Sequence, residues 1–81
     1  MHMALAIDRA DGDIRRHVEA ELHCSPGVDE THIEVRVVNA RVTLAGYVPR
    51  LLDKHAAEYA ATRVPGVAGV ANDIQVGRPH R

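Results

Sequence analysis

Apolar side chains recur along this chain at two spacings, and the switch between them marks out the elements. Ile14, Val18 and Leu22 fall every four residues, with Ile7 a further seven back, which is one stripe of a helix. Arg16, Glu19 and His23 fall on the opposite side. Asp11 is the expected N-cap of this helix, with Asp8 as the alternative, and Asp13 then stands in a first turn that favours carboxylates. Gly12 is a weak helix former. Arg15 and Glu19 are spaced to pair. The helix is expected to stop near Cys24, ahead of Ser25-Pro26-Gly27.

The period then changes to two. Ile33, Val35 and Val37 share one face of a strand over residues 32–38, and Glu34 and Arg36 share the other. Over 41–48, Val42, Leu44, Gly46 and Val48 alternate with Thr43, Ala45 and Tyr47. Only Asn39-Ala40 separates the two runs, so a tight hairpin is expected. A type I′ turn needs positive φ at both residues, and Ala40 would then carry about 1 kcal/mol of strain; otherwise the turn is of another type. Gly46 inside a strand points to a helix packed closely over it, or to a bulge. Pro49 suits the start of a helix. From Arg50 to Val64, Leu52, Ala56, Ala60 and Val64 repeat every four, with Ala57 and Ala61 widening the stripe. Pro65-Gly66 ends it. Residues 70–76 form a last strand, with Val70, Ile74 and Val76 on one face and Asn72 among them.

The order helix, strand, strand, helix, strand predicts an α+β fold of αββαβ type. It is a two-layer sandwich, with two helices packed on one face of a three-stranded mixed sheet. The last two strands are expected to be parallel, joined by the second helix as a crossover. Residues 1–10 read as an N-terminal extension or cloning remnant, 11–76 as the domain, and 77–81 as a polar tail.

The ordered set of motifs resembles the BON domain, the module named after bacterial osmotically inducible and nodulation proteins. Asp13-Ile14, Val18 and Leu22 open the match, and Ile33, Val35 and Val37 continue it. Val42-Thr43-Leu44-Ala45-Gly46-Tyr47-Val48 resembles the family's "VTLxGxV". Ala57, Ala60 and Val64 follow. Gly66-Val67, Val70, Asn72, Ile74 and Val76 resemble "GVxxVxNxIxV". Gly46, Gly66 and Asn72 are the structural positions of these motifs. Ala40 departs from the glycine the family often places there. The resemblance implies a non-enzymatic module without catalytic residues or cofactor. It implies a role in envelope or osmotic stress through phospholipid surfaces. The alternative is a protein–protein interaction or oligomerisation domain, excised from a tandem or fused protein.

Composition narrows the chemistry. Ten Lys and Arg oppose eleven Asp and Glu among 81 residues, and the formal net charge of −1 argues against a nucleic-acid partner. Tyr47 and Tyr59 are the only aromatics, so no base-stacking platform or deep aromatic pocket is expected. No apolar run reaches the roughly 20 residues of a membrane helix. The start lacks the pattern of a signal peptide, which reads as cytoplasmic, or as periplasmic if the domain is excised from a mature protein. His2, His17, His23, His32, His55 and His80 show no i,i+4 pair, so no metal site is expected. Cys24 has no CxxC partner and no serine lies in a GxSxG context, so no catalytic group is expected. Gly66-Val67-Ala68-Gly69 matches the GxxG spacing of nucleic-acid-binding loops, but its apolar middle reads as a helix stop. The candidate contact residues are Arg15 and Arg16 on the first helix, Arg50 and Lys54 on the second, and Tyr47 on the sheet face away from the core. Asp13, Glu19, Asp53 and Glu58 interleave with the basic residues, which reads as a solvated mixed face.

Overall fold

The computed structural model describes residues 2–24 and 32–77, with side chains described for 10–24 and 32–77. Helix α1 (His2–Cys24) leads to a hairpin of β1 (Ile33–Val38) and β2 (Arg41–Val48), then to α2 (Leu51–Thr62) and β3 (Gly69–Val76). The sheet order is β1-β2-β3. β1 and β2 are antiparallel, with Val35 opposite Leu44, and β2 and β3 are parallel, with Val48 opposite Val76. The α+β fold, the mixed sheet and the element order are those expected. The breaker at 25–27, the side chain of Ile7 and the tail beyond Gly77 lie outside the described residues.

One core lies between the helices and the sheet. Ile14, Val18 and Leu22 of α1 meet Ile33 and Val35 of β1, Val42, Leu44 and Val48 of β2, and Ile74 of β3. Ala57, Ala60, Ala61 and Val64 supply the α2 side. The period-two faces put these residues inward because a strand projects alternate side chains to opposite sides.

Four local features differ from the expectations. First, α1 begins at His2, not at Asp11. Residues 3–10 include Met, Leu, Ile and three alanines, good or tolerable helix formers that carry the helix through Gly12. Asp11 is not an N-cap. Its carboxylate accepts the backbone N–H groups of Asn39 and Ala40, both at 3.0 Å. Those two residues have φ of 52° and 64°, the signature of a type I′ turn. The strain expected at Ala40 is therefore present, and Asp11 offsets it with two charge-assisted bonds.

Second, the buried face of α2 is rotated from the expected stripe. Asp53, Ala57, Ala60, Ala61 and Val64 point inward, Ala56 is half-buried, and Leu52 is 73% exposed. Spacings of four, seven, eight and eleven from Asp53 fit a 3.6-residue period better than strict repeats of four. The small side chains let the helix lie close to the sheet. Third, Asp53 is 3% exposed, although it was expected on a solvated face. Arg50 reaches over it with a fork, Nε to Oδ2 at 3.2 Å and Nη2 to Oδ1 at 3.1 Å. Fourth, Gly46 does not make room for a helix. At φ +133° it lies against the start of β1, where a Cβ would stand 1.9 Å from the His32 carbonyl oxygen.

Candidate functional site

The parallel strands β2 and β3 finish side by side. Val48 faces Val76 across the ladder, and the Gly77 N–H donates to the Val48 carbonyl oxygen at 2.7 Å. The chain turns at Pro49-Arg50 and enters α2 at once. This brings several apolar side chains to one end of the domain without covering them. Leu51 is 57% exposed, Leu52 73%, and Val76 47%. Val76 was expected on the core face. It belongs to that face by alternation, but the last residue of the strand lies beyond the cover of the helices. Tyr47 emerges just before Val48, on the open face, and is 41% exposed. It borders a shallow hollow of about 330 Å³ with His32 and Gly46.

Basic groups frame this end. Arg50 precedes the two leucines and Lys54 follows them by two residues. The Asp53 carboxylate holds the Arg50 guanidinium pKa above its ordinary value, first through the hydrogen bond and then through charge. The same fork neutralises the one buried carboxylate nearby. The Arg50 side chain stays 65% exposed while it does so, and its free edge still faces solvent. Lys54 is half-buried, and its carbonyl accepts a hydrogen bond from Asn72 Nδ2 at 3.1 Å.

Arg15 and Arg16 do not join this group. They are exposed on α1, where Arg15 pairs with Glu19 at 3.8 Å and Arg16 with Asp13. Of the expected contact residues, the fold thus gathers Arg50, Lys54 and Tyr47 towards one end of the sheet and leaves the α1 arginines apart. Sequence reasoning missed Leu51 and Leu52 as surface residues. The signal was present for Leu51, which matches no stripe.

Asn72 and the glycines act within the frame. Asn72 Nδ2 also donates to Glu58 Oε1 at 3.2 Å, and its Oδ1 accepts the Ile74 N–H at 3.2 Å. One side chain thereby ties α2 to β3. Gly66, at φ +92°, lies 3.6 Å (Cβ position) from the Ile14 side chain and turns the chain from α2 towards β3. His17, His23, His32 and His55 are exposed, and Cys24 is an exposed free thiol. Among the described residues no three His, Cys, Asp or Glu side chains gather to hold a metal. No described helix is long and apolar enough to cross a membrane.

Comparison with known families agrees with this arrangement. The family model described as "BON domain" matches residues 10–78. No curated protein matches the chain closely enough to count as a relative. BON domains are generally binding modules without catalytic function. With most of α1 and all of the hairpin, crossover and last strand inside the matched span, this chain belongs to the BON domain family.

Proposed function

We propose that this BON domain is a non-enzymatic module that docks on anionic phospholipid surfaces of the cell envelope. The observation that carries the reading is the exposed Leu51-Leu52 pair at the end of the sheet, framed by Arg50 and Lys54. Two neighbouring leucines in water are unfavourable, at about 25 cal/mol per Å² of apolar area. Exposed apolar groups beside cations suit a bilayer interface, where the leucines enter the acyl boundary and the cations meet headgroup phosphates. Val76 extends the apolar surface. Family membership supports a contact function over a catalytic one.

The test is co-sedimentation with vesicles of phosphatidylglycerol and phosphatidylcholine against phosphatidylcholine alone. The chain is expected to pellet with the anionic vesicles at low salt and to be released as salt screens the headgroups. Replacing both leucines (Leu51→Glu with Leu52→Glu) is expected to abolish pelleting and leave the circular dichroism spectrum unchanged. Absence of pelleting at low salt, or pelleting untouched by the double substitution, refutes the reading.

A further inference from the structure

The two free edges of the sheet are treated differently. On β3 the Ile74 N–H is taken by the Asn72 side chain, which is itself held by Lys54 and Glu58 of α2. That edge is blunted by a side chain and a helix. On β1 the described residues make no comparable bond. Ile33–Val38 contains no proline or glycine, its pairing with β2 runs without a bulge, and its outer side borders a groove of about 690 Å³. Asp11, Gly12 and Arg15 of α1 form the far wall of that groove. Gly12 keeps the wall low, with nothing within 4 Å of where a Cβ would stand. An edge that the described residues leave uncovered in this way is a template for another strand.

We infer that the β1 edge pairs with β1 of a second copy of this chain, forming a continuous six-stranded sheet about a twofold axis at Val35. This uses a different element from the lipid-docking end and does not depend on it. Charge complementarity sets the register. Glu34 and Arg36 project from the open face, exposed, and among the described residues they pair with each other along the strand at 3.2 Å. Their neighbours on β2 are Ala45 and Thr43, which supply no charge. In antiparallel pairing, directly opposite residues point to the same face. An axis at Val35 sets Glu34 opposite Arg36 of the second copy, twice, and sets Ile33 opposite Val37 on the core face. An axis at Glu34 or at Arg36 sets like charges face to face. An axis between two residues sets Val35 beside Arg36 and turns the second copy's helices to the wrong side. Among axes on residues 34–36, one register alone satisfies both the faces and the charges. An isologous contact of this sort closes on itself as a dimer and leaves no β1 edge free for further growth.

Sedimentation equilibrium without lipid tests this directly. The native chain is expected to show a monomer–dimer equilibrium over roughly 10–500 µM, as befits a small interface. Glu34→Arg alone and Arg36→Glu alone are each expected to weaken self-association about tenfold or more, because each sets like charges opposite one another. Both positions are exposed, so both variants are expected to keep the native circular dichroism spectrum. An equimolar mixture of the two is expected to restore association as a heterodimer. One variant then carries arginine at both positions and the other glutamate at both, so every facing pair is of opposite charge. A native chain that stays monomeric throughout overturns the inference. So does a dimer indifferent to both substitutions, or a mixture that fails to associate.

Discussion

Replacing Gly46 with alanine should unsettle the sheet from its centre. The added Cβ would stand 1.9 Å from the His32 carbonyl oxygen, 3.0 Å from its carbon and 3.1 Å from the Ile33 Cα. All three atoms are backbone, so no rotamer change relieves the overlap. Either the start of β1 moves away from β2, or residue 46 leaves φ +133° and distorts β2. Overpacking of this kind costs about 1–3 kcal/mol, and holding a non-glycine residue in a sparsely populated backbone region costs a further 1–3 or so. Stiffening the unfolded chain returns about 0.4–1 kcal/mol. The net loss is therefore about 1–6 kcal/mol, centred near 3, against a total stability of about 4–12 kcal/mol for a domain of this size. Thermal unfolding followed by circular dichroism should show a midpoint lowered by about 10–30 °C. Gly69→Ala serves as the control, since nothing lies within 4 Å of a Cβ there. A Gly46→Ala midpoint within about 4 °C of the native value would sink the close-approach argument.

Asp11→Ala removes both acceptors of the hairpin turn and is expected to cost about 1–2 kcal/mol, the range of a lost helix cap. Urea denaturation measures the loss, and amide exchange should quicken first at Asn39 and Ala40; unchanged exchange there refutes the assignment. Leu22→Ala and Leu52→Ala test the two helix faces with one residue type. Leu22 is fully buried, so its truncation is expected to cost about 2–5 kcal/mol, whereas truncation of the exposed Leu52 should change stability by about 0.5 kcal/mol or less. Equal losses at the two sites would contradict the observed orientation of α2.

The legible parts of this fold were those governed by period alone. Strand faces, the α1 stripe and the parallel closing strand follow from alternation and from the crossover rule, with no knowledge of partners. The features that escaped sequence reasoning depend on long-range partners. Asp11 looks like a helix start because a carboxylate before a helical stripe usually caps it, and its true partners lie 28 and 29 residues onward. Asp53 looks solvated until Arg50 is seen to cover it. The rotation of α2 is hidden because a repeat of four and a period of 3.6 diverge only over several turns, and a face of alanines gives little hydrophobic contrast to fix the phase. For the same reason the Leu51-Leu52 end was not anticipated, while Tyr47 was correctly placed on the open face by alternation.

The tie between Asp11 and the turn bears on how the chain folds. A type I′ turn at Asn-Ala has no glycine to settle it locally, so the hairpin is a poor independent nucleus. The groups that complete the turn come from a helix nearly thirty residues earlier in sequence. Docking of α1 thereby supplies the acceptors that complete the hairpin turn, so each element stabilises the other in the native state. A fragment holding β1 and β2 without α1 would lack both the core face and the turn's acceptors. A single carboxylate that belongs to one element thus completes another, beside the core that both share.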